Sequence, residues 1–174
     1  MGKIKKPSPV KLIVGLIFKY EEAFSCARKS LIRSFGSIDF ESEALPFNQT
    51  DYYQEELGDN LTRKFLSFKK LVSPEVLSKI KVETNKIEER LSRGGLRQVN
   101  LDPGYLAFSK LVLASTKDYA HRIYLGRGIY AEITLDYRNK TYRAREWTYP
   151  DYKSQDYLSI FNRIRQIYSR QVKE

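Results

Sequence analysis

Residues 10–18 read VKLIVGLIF, nine positions of which all but Lys11 and Gly15 are aliphatic or aromatic. A short apolar run rich in Val and Ile reads as a central strand buried on both faces. The rest of the chain has to be arranged around it. Phe24, Ala27, Leu31 and Phe35 follow at helical spacing, which predicts an amphipathic helix over 21–35 with Gly36 as its stop. IDFESEAL (38–45) alternates apolar with acidic positions, so a half-exposed strand is expected there. The opening is therefore β-α-β.

Further along, residues 46–60 carry turn formers, acids and aromatics, the composition of a loop with room for one helical turn. Residues 63–72 read as a strand or an irregular segment packed through Phe65, Phe68 and Leu71. Ser73 and Pro74 then suit the N-cap and first position of a helix over 75–92. Its apolar face is Leu77, Ile80, Thr84, Ile87 and Leu91, and Gly94-Gly95 ends it. NLDPGYLAFSKLVLAS (100–115) stays ambiguous between helix and strand: Asp102-Pro103 fits a helix N-terminus, whereas Pro103-Gly104 fits a type II turn before a strand at 110–115. Tyr157, Leu158, Phe161, Ile164 and Tyr168 place a last helix over 155–171. The expectation is one α+β domain spanning 1–174, with residues 1–9 as a basic flap. Its sheet is antiparallel or mixed, its helices lie mainly on one face, and a ferredoxin-like core fits the opening.

Two turns allow a register test. With Gly126-Arg127-Gly128 as a three-residue hairpin loop, Ile123 meets Ala131 and Tyr124 meets Tyr130. Slipping by one residue mixes the faces, which sheets avoid. A second turn at Asn139-Lys140 pairs Tyr137 with Tyr142 and Asp136 with Arg143. Continued in strict alternation, this meander has an apolar face of Ile123, Leu125, Ala131, Ile133 and Leu135, expected to be buried. Its other face carries Arg122, Tyr124, Tyr130, Glu132, Arg143, Arg145 and Trp147, a basic-aromatic platform suited to stacking rings and holding phosphates.

Charge supports such a ligand. The net charge is +10, which favours a polyanionic partner, nucleotide or nucleic acid. It is also segregated: residues 39–59 contain seven acids and no Lys or Arg, whereas 90–145 contain eleven Lys/Arg against four acids. No run of about 18 apolar residues is present, so no membrane span or membrane partner is expected. The single cysteine, Cys26, forms no internal disulfide and points to the cytoplasm. Oligomeric state is not legible.

Several chemistries lack their motif. There is no P-loop, no strand-borne G-x-G-x-x-G and no G-x-S-x-G elbow, and one Cys with one His gives no typical structural zinc site. No cofactor is implied, although Glu41, Glu43 or Asp51 could take Mg²⁺ through oxygen ligands. The loop STKDYA (115–120) sets Lys117 and Asp118 just ahead of His121, the only His. Loops at strand ends are where rigid scaffolds display chemistry. If the protein is an enzyme on a phosphorylated substrate, Lys117, His121 and Asp102 are the catalytic candidates. Tyr105, Asp118 and Arg122 would bind at the same edge, together with the platform residues. A protein-interaction scaffold is the plainer alternative.

The runs PVKLIVGLIF, FGSIDFESE, VNLDPGYL, KLVLASTKDYAHRIYLGRGIYAEITLDY and WTYPDY, in this order, resemble an uncharacterised bacterial family, domain of unknown function 4416. The resemblance spans nearly the whole chain and implies a small cytosolic protein, with no catalytic residues to carry over. Members sometimes receive a GTP-binding label. Here the P-loop is missing, and Thr116-Lys117-Asp118 is a fragment of the guanine-reading [NT]-K-x-D pattern with the Asp one place early.

Overall fold

The structure, a computed structural model, describes residues 2–48, 50 and 52–173. The central strand β1 (Val10–Phe18) is buried along its whole length. Strand β4 (Leu61–Val72) lies antiparallel on one side of it and β5 (Val99–Leu106) on the other. Strand β2 (Ile38–Glu41) adds to the outer edge of β4. Helix α1 (Glu21–Phe35) links β1 to β2, and α3 (Leu77–Leu91) links β4 to β5. The order β2-β4-β1-β5, with every pair antiparallel, is the ferredoxin-like split β-α-β arrangement.

The chain then extends that sheet. Strand β6 (Lys110–Ser115) pairs with β5, and β8 (Tyr130–Arg138) pairs with β6. The far edge of β8 carries β7 (Ile123–Tyr124) at one end and β9 (Thr141–Ala144) at the other. Short β3 (Leu45–Phe47) adds to β4, giving nine strands. Alternate residues of β1 serve two cores. Leu12, Val14, Leu16 and Phe18 pack against α1 and α3. On the opposite face Ile13 joins Phe65, Leu106 and Leu111 under helix α4 (Gln155–Lys173), which contributes Tyr157, Phe161, Ile164 and Tyr168. Two helices thus cover one face and one covers the other. No helix among the described residues is long and apolar enough to cross a membrane.

Several local expectations change. The strand expected over 38–45 is two, β2 and β3, broken where Ser42 donates to the Glu43 carbonyl. The loop after it does hold one helical turn, α2 (Gln54–Leu57). Ser73 makes no side-chain cap; Pro74–Val76 form a 3-10 turn that leads into α3. Residues 100–115 are strands, and Pro103-Gly104 is neither cap nor turn but lies inside β5.

The largest change concerns the meander. Both turns are as expected: Leu125 N–H bonds the Ile129 carbonyl across Gly126–Gly128, and Asn139 and Lys140 take positive φ. The paired residues also agree, from Ile123 with Ala131 to Asp136 with Arg143. The faces are inverted at the β7 end. Ile123 is 71% exposed and Ile133 38%, while Glu132 and Thr134 are buried. The cause is a β-bulge: Val112 pairs with Ile133 but Leu111 with Leu135, so Thr134 is an extra residue on β8. One inserted residue shifts the alternation, so Leu135 faces the α4 core without bringing Ile133 with it. The segment after β9 covers the bulge, with Trp147 Nε1–H bonding the Ile133 carbonyl and Thr148 the Thr134 carbonyl. The basic-aromatic face is therefore not an open platform.

Candidate ligand cavity

Strand β5 pairs with β1 over its whole length but with β6 only over Gly104–Leu106. Beyond that point β6 follows β8, and the sheet forks. Local sequence explains the fork. Gly104 lets the two backbones approach; a Cβ there would lie 2.4 Å from the Val112 carbonyl oxygen. Pro103, next along, has no N–H to give to a ladder. At Leu101 the free edge is satisfied from α3: Glu88 accepts the Leu101 N–H, and Lys81 Nζ donates to its carbonyl at 2.9 Å. An unpaired strand edge is thus blunted by two helix side chains.

Between the arms lies a cavity of 790 Å³, within the range of small-molecule sites. Its β4–β5 wall is organised by Arg63. The guanidinium lies across Gly15, where a Cβ would be 2.8 Å from it, and among the rings of Phe47, Phe65 and Tyr152. Arg63 donates to Asp102 at 2.9 Å and to Asp151 at 3.1 Å. Asp102 also accepts from Asn100, which accepts from Arg97, and Arg97 forks onto Glu56. Burial pushes the Asp151 carboxyl above its ordinary range against the pull of Arg63. Burial likewise raises Glu88.

The opposite wall is organised by Arg122. It donates to Glu132 at 2.8 Å, to Ser115 and the Lys117 carbonyl at 2.9 Å, and to Tyr149 at 2.7 Å. Both charged side chains are almost fully buried, at 1% and 2% exposure. His121 also bonds Glu132, at 3.3 Å, and its ring is sandwiched between Tyr119 and Trp147. At the rim, Lys117 Nζ bonds the Tyr52 hydroxyl at 3.0 Å and sits over the Tyr52 ring. That hydrogen bond is the main reason its ammonium pKa is raised.

Of the residues singled out from sequence, Asp102, Lys117, Arg122 and Glu132 line this cavity. His121 stands behind Glu132 rather than in the lining, so Asp102 and His121 belong to separate networks. Trp147 stacks on His121; Tyr124 and Tyr130 meet as a tilted pair at 5.1 Å, outside the cavity. Tyr105 packs with Leu77 and Val112 on the α3 side. Asp118 and Arg143 are exposed, and Arg145 pairs with Asp136. Glu41 is held by Arg28 and Lys64, Glu43 is exposed, and Asp51 lies outside the described residues. Among the described residues no group of three or more His, Cys, Asp or Glu is placed to hold a metal ion.

A family model described as domain of unknown function (DUF4416) matches residues 8–168. The chain belongs to that family. Comparison with curated proteins and with solved structures found no match.

In this DUF4416 chain, sequence reasoning missed Arg63, Arg97 and the α3 stripe Lys81, Asn85, Glu88. The stripe had a signal. Positions 81, 85 and 88 repeat at helical spacing beside the apolar stripe, so one polar flank of α3 had to face something other than open solvent. Arg63 gave no such signal, since it stands near the start of β4 beside Lys64 in a strand that also carries Lys69 and Lys70.

Proposed function

We propose that the protein binds a phosphorylated small molecule in the forked cavity, with Lys117 as the anchor for its anionic group. One observation carries this reading. Five cations line the cavity, and the three arginines are committed to carboxylates: Arg63 to Asp102 and Asp151, Arg97 to Glu56, Arg122 to Glu132. Lys117 instead holds a neutral phenol and keeps two N–H donors for a ligand. It is exposed at the rim, so a phosphate can reach it without the cost of entering a dry interior. An extended strand of RNA has less support, since the platform that would have carried it is broken up: Arg122 and Glu132 are buried and paired with each other, which leaves Tyr124, Arg143 and Trp147 as its exposed members.

A thermal-shift panel of sugar phosphates, nucleotides and inorganic phosphate tests the reading. A ligand at 100 times its dissociation constant adds about 2.7 kcal/mol to stability. Lys117→Met should leave the unliganded melting temperature nearly unchanged and weaken the best phosphorylated hit about tenfold or more, the scale of one charge-assisted contact. If no phosphorylated compound shifts the wild type, or if the variant binds as well, the reading fails. Binding that survives Lys117→Met and falls steeply with salt would instead indicate a polyanion on the outer surface.

Enzymatic turnover draws on a different observation, the Asp151 carboxyl raised by burial beside the cavity. A carboxyl of that kind can hold a proton close to a bound substrate. Phosphate release by the wild type but not by Asp151→Asn would favour this second reading.

A further inference from the structure

The inner end of the cavity is a helix face. Lys81, Asn85 and Glu88 all line it. Lys81 and Glu88 are buried, at 8% and 6% exposure, and each is engaged with the Leu101 edge of β5. Asn85 stands between them, half-buried, and none of the described residues hydrogen-bonds its side chain. A free carboxamide held between two fixed neighbours presents a donor and an acceptor side by side. That pattern matches the edge of a heterocyclic base in a bidentate contact. At the rim, Lys117 is accompanied by three rings with open surface: Tyr52, Tyr119 and Tyr149, at 60%, 52% and 44% exposure. These rings flank the phosphate end, with Tyr52 under Lys117 and Tyr119 against His121, so the base contact falls to α3.

We infer that the ligand is a nucleotide that enters base first, with Asn85 reading the base edge on α3 while the phosphate stays at the rim on Lys117. This rests on the phosphate-binding reading and adds a direction and a class to it. It predicts that lengthening the phosphate chain is tolerated, because the phosphate end faces solvent. It also predicts that two separate residues control base choice and phosphate affinity.

Calorimetric titrations with the four ribonucleoside 5′-monophosphates, ribose 5-phosphate and inorganic phosphate separate the claims. In the wild type at least one monophosphate should bind about tenfold tighter than ribose 5-phosphate, the scale of one well-made bidentate contact. Asn85→Ala should abolish that advantage and leave ribose 5-phosphate unchanged. Asn85→Asp, which keeps the size but removes the amide donors, should change which base is preferred. Lys117→Met should weaken the monophosphate and ribose 5-phosphate by a similar factor. If ribose 5-phosphate binds the wild type as tightly as every monophosphate, the base is not read and this inference is wrong, while phosphate binding stands. If Asn85→Ala weakens both ligands equally, Asn85 is a structural residue and the inference is also wrong. Binding of none of these compounds removes both readings.

Discussion

The β2-β4-β1-β5 half of the sheet and the β6-β8 half solve burial differently. In the first half apolar side chains dominate both faces, and its two buried cations are each neutralised: Lys11 by Asp39, and Arg63 by two aspartates among rings. In the second half, near β7, charged groups are inside and aliphatic ones outside: Glu132 is 2% exposed and Ile123 71%. The difference shows what each half is for. One is a scaffold whose stability comes from apolar area. The other gives up part of that area to hold a buried charge network against a cavity. Buried polar networks stabilise only when every member is satisfied, and Arg122, with four acceptors, meets that condition.

The strongest challenge to this contrast is a pair of neighbouring substitutions. Glu132→Ala should cost roughly 3 kcal/mol, because it strands the buried Arg122 charge. Ile133→Ser, one residue on and 38% exposed, should cost clearly less, about 1 kcal/mol. Urea unfolding of the two variants reads this directly. The reverse ranking would mean that the apolar face of β8 is the buried one. Gly104→Ala probes the seam between the halves. Its Cβ would meet backbone at 2.4 Å and the Leu113 side chain at 2.7 Å, so a loss of about 2 kcal/mol is expected, as for overpacking elsewhere. A neutral result would show that the strands can separate there without cost.

The smallest effect depends on pH. Burial raises Glu88 in the folded protein above its unfolded value. A raised carboxyl contributes stability that is fully present below the unfolded pKa and is lost as pH rises through the folded one. Glu88→Gln removes that loss and can still accept from the Leu101 N–H. The stability of the variant relative to the wild type should therefore increase from about pH 4 to pH 8. Paired melts across that range check it, and a flat or falling difference would contradict it. Glu56, whose carboxyl is lowered chiefly by its hydrogen bond from Arg97, supplies the opposite control. Its contribution is lost as pH falls.

Much of the scaffold was legible because its periodicities are unbroken. VKLIVGLIF gave β1 its limits, and the apolar spacing in 21–35 and 155–171 gave two helices, since each buries one continuous stripe. The turns at Gly126–Gly128 and Asn139-Lys140 were legible from their residue types. The site was legible only in part. Lys117, Arg122, Glu132 and Asp102 were singled out from a loop and a ladder, but the reason for their meeting was not visible. It depends on a bulge at Thr134, which leaves local composition unchanged, and on a fork at Pro103-Gly104, a dipeptide that taken alone reads as a turn. A bulge is a choice of pairing made by two strands together, so it leaves no trace in the period of one. Pro103-Gly104 was misread for the converse reason: the dipeptide signals a turn locally, and only the presence of β1 on its other side keeps it extended.

Pro103 has a consequence for how a ligand would be received. Thermal fluctuation brings the arms of the fork together as readily as it parts them, and a sheet that met could zip. At this position it cannot, because the hydrogen atom that a closing ladder requires is missing from the covalent chain. The opening is thus written partly into the polymer, beside the two α3 side chains that occupy the Leu101 edge. A guest would therefore meet less competition from a zipped form of the sheet, and its apparent affinity would be reduced correspondingly little.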